Sequence, residues 1–105
     1  MAIVEYMEVK YPKVKFTYTM GDVRLTPKQA VKAKKMGYGK GISDMIFYKA
    51  CHGYHGLAIE LKRSEKEKPT PEQQEWIDYF NEEGYFAYCA KGQDEAMAIL
   101  DHYLN

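Results

Sequence analysis

The sequence predicts an α/β fold, a mixed central β-sheet flanked by helices. Three observations carry this prediction. Two helix starts of the form Thr-Pro-x-Gln punctuate the chain, at Thr26 and Thr70. Short apolar runs with strand character lie before, between and after them. Helices and strands therefore interleave, in the order α-β-α-β-β-α-β-α, an order that sets helices against the faces of a sheet.

Taken in order, Ala2 to Tyr11 reads as a helix. Ile3, Tyr6, Met7 and Lys10 share a face at helical spacing, and Pro12 stops the run. Val14, Phe16, Tyr18 and Met20 then alternate with Lys13, Lys15, Thr17 and Thr19, the period of a half-buried strand. Thr26-Pro27-Lys28-Gln29 is a capping box with Pro at the first helical position. Its helix runs to about Met36, with Gly37 as the stop. Ala30, Ala33 and Gly37 form a small inner face, and Lys28, Lys32 and Lys35 form an outer one. Asp44 to Ala50 is apolar on both faces, as a central strand is. In Leu57 to Lys62, Leu57, Ile59 and Leu61 point one way, and Ala58, Glu60 and Lys62 the other. Cys51 to Gly56 is short and contains Gly, which suits a hairpin between the two strands. Thr70-Pro71-Glu72-Gln73 opens a second capped helix, with Trp76, Ile77 and Phe80 as its apolar stripe and Gly84 at its end. Tyr85 to Ala90 reads as a strand. Ala96, Ile99, Leu100, Tyr103 and Leu104 mark a closing helix.

Residues 1–105 read as one domain, since domains commonly hold about 100–150 residues. Hydrophobic residues make up 46 % and charged residues 29 %, values that exclude collagen and wholesale disorder. No apolar run approaches the roughly 18 residues of a membrane span. Glu5 and Glu8 interrupt the N-terminal apolar stretch, so it does not read as a signal peptide. Cys51 and Cys89 lie far apart in sequence, and the lack of a signal peptide and of a dense cysteine pattern argues for reduced thiols in a cytosol. The formal net charge is zero. This excludes a blanket of positive charge and leaves room for a local basic stripe on nucleic acid.

The chemistry concentrates at the central hairpin. With a turn on His52 and Gly53, facing residues sum to about 104–106, so Asp44 lies opposite Glu60 to Lys62, with cross-strand Cβ atoms roughly 4.5–5.5 Å apart. Glu60 and Lys62 share a face, while Leu61 anchors the other. Two adjacent carboxylates with a lysine beside them suit metal-assisted hydrolysis of a phosphodiester. The competing reading is a cross-strand salt bridge at a sheet edge. Gln73 likewise has a structural role already, at the third position of its capping box. Cys51, His52 and His55 lack a fourth zinc ligand in a fixed spacing, and a turn explains them better. Gly37-Tyr38-Gly39-Lys40-Gly41 lacks the strand before and the helix after that a nucleotide-binding loop needs, so no nucleotide cofactor is expected.

The ordered set Gly41-Ile42-Ser43-Asp44, Ile59-Glu60-Leu61-Lys62, Gln73 and Gly84-Tyr85 resembles the PD-(D/E)XK nucleases. More narrowly it resembles their VRR-NUC branch, which includes small stand-alone phage nucleases. The resemblance covers about Leu25 to Leu104 and implies a restriction-endonuclease-like core. It implies that Asp44 and Glu60 bind Mg²⁺ or Mn²⁺, with the Leu61 carbonyl completing the shell. It implies that Lys62 positions or activates the attacking water and that Gln73 belongs to the same site. It further implies a DNA endonuclease acting on branched DNA such as four-way junctions, working as a homodimer in the cytoplasm, that of a bacterial host if phage-encoded. Lys28, Lys32, Lys35 and Lys40 become candidates for phosphate contact. Two features depart from the pattern. Ser43 stands where the family usually has Pro, and Glu5 and Glu8 align poorly with the family's first-helix acid. The second departure keeps an alternative open, a nucleic-acid-binding module of the same fold with weak or no catalysis.

Overall fold

The computed structural model describes residues 2–19, 26–35 and 39–105. In chain order the elements are α1 (Ala2–Lys10), β1 (Phe16–Tyr18), α2 (Pro27–Lys35), β2 (Met45–Phe47), β3 (Leu57–Lys62), α3 (Pro71–Glu82), β4 (Phe86–Lys91) and α4 (Gln93–Leu104). This is the expected order. The expected stop at Gly37, the strand residue Met20 and the side chain of Ala33 lie outside the described residues. No helix among those described is long and apolar enough to cross a membrane.

The four strands form one sheet in the order β1-β2-β3-β4. β1 and β3 each run antiparallel to β2, and β4 runs parallel to β3. The parallel pair is joined through α3, because a parallel connection needs a crossover long enough to hold a helix. Both capping boxes are formed. Thr26 N–H donates to Gln29 Oε1 and Gln29 N–H donates back to Thr26 Oγ1, at 3.0 and 3.2 Å. Thr70 and Gln73 repeat the exchange at the start of α3.

Side-chain alternation sorts the strands into two cores. Met45, Phe47, Leu57, Ile59 and Ala90 meet Ile3 and Met7 of α1 and Ala96, Leu100 and Tyr103 of α4. On the opposite face Ile46, Ala58 and Ala87 meet Ile77 and Phe80 of α3. Trp76 and Cys89 pack on this second cluster, partly buried rather than in its centre.

Two expectations change. β2 is shorter than Asp44 to Ala50, because the Tyr103 hydroxyl donates to the Lys49 carbonyl at 2.7 Å and accepts from Cys51 N–H at 3.3 Å. A side chain from α4 thus takes backbone groups that a longer strand would use. Pairing resumes only at the Cys51–Tyr54 bridge. Ala30 is exposed, and among the described residues no contact ties α2 to another helix or strand.

α1 and α4 are pinned by one carboxylate. Asp101 accepts from Tyr6 Oη at 2.6 Å, Tyr11 Oη at 2.7 Å and Lys10 Nζ at 2.9 Å. These donors, Tyr6 first, hold the Asp101 carboxyl down at about 2, and Asp101 in turn pushes the Lys10 ammonium up. A carboxylate with a depressed folded pKa stabilises the fold above its unfolded value and loses that contribution as pH falls through the folded one. Asp101→Asn is therefore expected to lower the urea midpoint at neutral pH. The gap from wild type should close as pH drops from about 4 to about 2. Equal midpoints at neutral pH would contradict this.

Candidate active site

The β2–β3 register pairs Met45 with Ile59 and Ile46 with Ala58. One step further out, Asp44 stands against Glu60, where the hairpin arithmetic puts them. Facing residues share a side of the sheet, so Asp44, Glu60 and Lys62 continue the face that Ile46 and Ala58 turn toward α3. Asp44 is 4 % exposed and Glu60 0 %. The burial of two carboxylates side by side is the most unusual feature of the fold.

Asp44 is fixed through backbone groups. Leu61 N–H donates to its Oδ2 at 2.8 Å. Thr19 N–H donates to the Asp44 carbonyl at 2.6 Å, and Thr19 Oγ1 donates to the carbonyl of buried Ser43 at 2.6 Å. The N–H and C=O of one strand residue point to the same side. The Leu61 carbonyl therefore faces the Asp44 strand, as its N–H does.

Lys62 is held by Gln73. Its Nζ donates to Gln73 Oε1 at 2.8 Å and stands 3.7 Å from Glu60 Oε1. The same Gln73 oxygen accepts from Thr70 N–H at 2.9 Å, while Thr70 Oγ1 accepts from Gln73 N–H at 3.2 Å. One buried carboxamide therefore closes the capping box of α3 and aims the lysine. Its structural role and its place in the site coexist.

The Gly-x-x-Asp spacing has a physical reason in the loop before β2. Gly41 has φ +85°, and a Cβ there would stand 2.7 Å from both the carbonyl carbon and Cβ of Glu72. Only Gly lets the loop lie this close to the first turn of α3. Trp76 Nε1 donates to the Lys40 carbonyl at 3.0 Å and ties the same loop down. Asp44 and Gln73 are thus positioned by one backbone contact.

A cavity of about 500 Å³ opens at the end of the sheet beside this group, with Asp44, Leu61 and Lys62 in its wall. Lys40 does not reach it. That residue is exposed and lines a separate cavity with Glu72, Glu75, Trp76 and Tyr79. Lys28, Lys32 and Lys35 are exposed on α2. Glu5 and Glu8 are exposed on α1, whose Ile3 and Met7 pack on the other face of the sheet. Among the described residues no three His, Cys, Asp or Glu gather to hold a metal ion. His55 instead packs on Gly84, where an added Cβ would lie 2.7 Å from its ring. His52 stacks on His102, with centroids 6.4 Å apart.

Asp44, Glu60 and the Leu61 carbonyl nonetheless fit a hard divalent cation. All are oxygen donors. Two like charges buried together are costly, and a cation between them offsets that cost. Thr19 is the site contact that the sequence does not reveal. It reads there only as an outward polar residue of a strand, and no local signal marks a hydrogen bond to a residue 24 positions away.

The VRR-NUC domain family matches residues 19–94, from Thr19 into the first turn of α4. The match takes in Asp44, Glu60, Lys62 and Gln73 and leaves α1 outside. The solved structure of a protein described as a VRR_NUC domain protein is similar over 98 % of this chain and 82 % of its own, with 28 % identity and a TM-score of 0.80. No curated protein matches the sequence.

Proposed function

The chain belongs to the VRR-NUC family of PD-(D/E)XK nucleases, and from that premise we propose that it is a metal-dependent DNA endonuclease. It hydrolyses phosphodiester bonds, on branched or structured DNA such as four-way junctions. The observation that carries this reading is the buried Asp44–Glu60 pair, beside a lysine that Gln73 holds in place, with Asp44 and Lys62 in the wall of a cavity.

In this reading Asp44, Glu60 and the Leu61 carbonyl hold Mg²⁺ or Mn²⁺. A bound divalent ion supplies Lewis acidity, which lowers the pKa of water and offsets charge on the phosphoryl oxygens. Lys62 orients the attacking water and adds positive charge beside the phosphate. Gln73 restrains Lys62, so little orientational freedom is left to lose at the moment of reaction. Leu61 N–H keeps the Asp44 carboxylate turned toward the site.

Lys28, Lys32 and Lys35 of α2 are proposed as phosphate contacts, since that helix contains no acidic residue of its own. Lys40 is a weaker candidate, because Glu72 and Glu75 share its cavity. A homodimer suits a roughly symmetric junction, and the β1 edge and the uncovered α2 offer surface for a second copy. The two free cysteines fit the cytoplasm of a bacterial host. One observation favours the alternative of a nucleic-acid-binding module with weak or no catalysis. The described residues supply two carboxylates, not three, near the site.

Cleavage of plasmid, flap and four-way-junction DNA with Mg²⁺, Mn²⁺ or EDTA separates the two. The nuclease reading expects cleavage that EDTA abolishes. Asp44→Asn should lose both cleavage and the metal-induced rise in melting temperature, a rise of mass-action origin. Lys62→Met should lose cleavage and keep that rise, because lysine is not a ligand. A wild type that cuts nothing in Mn²⁺ and shows no metal-dependent shift sinks the nuclease reading in favour of the binding module. Replacing the three α2 lysines with Gln should flatten the salt dependence of duplex affinity by about 0.9 in log–log slope per contact. An unchanged slope would leave them a solvated face. Sedimentation should show twice the monomer mass, and a clean monomer would remove the dimer.

A further inference from the structure

The cavity at the sheet end extends past the acid pair. Beyond Asp44, Leu61 and Lys62 its wall is completed by Tyr18, Arg63 and the start of α4 at Gly92 and Gln93. Gly92 N–H donates to the Lys62 carbonyl at 2.7 Å, which fixes the end of β3 against the start of α4. Tyr18, the last residue of β1, is 56 % exposed. Arg63, the first residue after β3, is exposed and pairs with no carboxylate among the described residues. A volume of about 500 Å³ lies within the usual range for small-ligand sites, roughly 300–1,000 Å³. It suits one nucleotide, not a stretch of stacked duplex.

Charge limits the direction from which a polyanion reaches the acid pair. The exposed face of α3 carries Glu72, Glu75, Asp78 and Glu82, and the helix contains no basic residue. Phosphates are repelled there. The Tyr18–Arg63 side offers a guanidinium for phosphate and an aromatic ring for a base. A base inside a duplex has both faces covered by its neighbours, so only an unpaired or flipped base can lie on Tyr18. Unstacking costs least for a base that is already unpaired.

We propose that this cavity seats one unpaired nucleotide next to the phosphate to be cleaved, its base on the Tyr18 ring and its phosphate on Arg63. The proposal rests on the nucleic-acid reading of the site and narrows its substrate class. That class is nucleic acid with single-stranded character at the cut, such as flaps, open junction centres or single strands, in preference to continuous duplex.

Fluorescence anisotropy in EDTA, where no strand is cut, tests it with a labelled oligothymidylate and a blunt duplex of the same length. Wild type should bind the single strand more tightly than the duplex. Tyr18→Ala should weaken single-strand binding by about 5- to 100-fold, and Tyr18→Phe, which keeps the ring, should retain it. Arg63→Gln should lower the log–log salt slope on the single strand by about 0.7. Melting temperatures of the variants check that the fold is intact. Tyr18→Ala binding the single strand as wild type does, or equal binding of single strand and duplex by wild type, overturns the proposal. Cleavage with Tyr18-independent binding removes the nucleotide site alone. Tyr18-dependent binding without metal-dependent cleavage removes the nuclease reading and leaves the nucleotide site standing.

Discussion

The register between β2 and β3 is the constraint on which the site depends. Side chains alternate along a strand, so a slip of one residue would turn Asp44 away from Glu60 and put Ile46 and Ala58 out of their core. Three features hold the register. The turn closes with the Cys51–Tyr54 bridge, Phe47 and Leu57 pack in one core while Ile46 and Ala58 pack in the other, and Leu61 N–H reaches the Asp44 carboxylate. The first two are apolar or backbone interactions common to any hairpin. The surrounding sheet therefore helps to meet the cost of burying two acids, beside the Leu61 N–H on Asp44 and the Lys62 ammonium near Glu60.

Gln73 links that hairpin to the helical layer. A capping glutamine reaches back to the N-cap N–H in many helices, at a gain of about 0.5–2 kcal/mol for the cap as a whole. Here the accepting oxygen has a second lone pair, and Lys62 uses it. The chain thus obtains a restrained lysine without an additional carboxylate that would compete for it. Gly41 completes the link, because its missing side chain lets the loop before Asp44 rest on the helix turn that carries Gln73. Asp44, Lys62 and Gln73 come from three separate stretches of sequence, and a few short contacts near the start of α3 hold them together.

Much of this was legible in the sequence because the signals are local. A capping box is decided within four residues, and both form as read. A hairpin register follows from the turn position, which is why Asp44 and Glu60 meet where arithmetic puts them. Less legible features depend on partners distant in the chain. Tyr103 reaches across from α4 to shorten β2, and Thr19 reaches forward to Ser43 and Asp44. Tyr18 reads as an inward residue of an alternating strand, yet it stands at the strand end and more than half its surface is exposed. Lys40 is close to Asp44 in sequence, but Trp76 and Gly41 fold its loop onto the acidic side of α3. Ala30 reads as part of an inner face, yet α2 is uncovered among the described residues.

The central claim is that the buried acid pair exists to hold a cation. Titration of free Mn²⁺ by electron paramagnetic resonance tests it without any nucleic acid. Wild type should take up Mn²⁺, and Glu60→Gln should lose that uptake. In EDTA, Glu60→Gln should melt at or above the wild-type temperature, because the substitution relieves the like-charge repulsion from Asp44 while Gln73 still holds Lys62. A wild type that leaves Mn²⁺ free, or a Glu60→Gln variant that binds it equally well, would contradict the account.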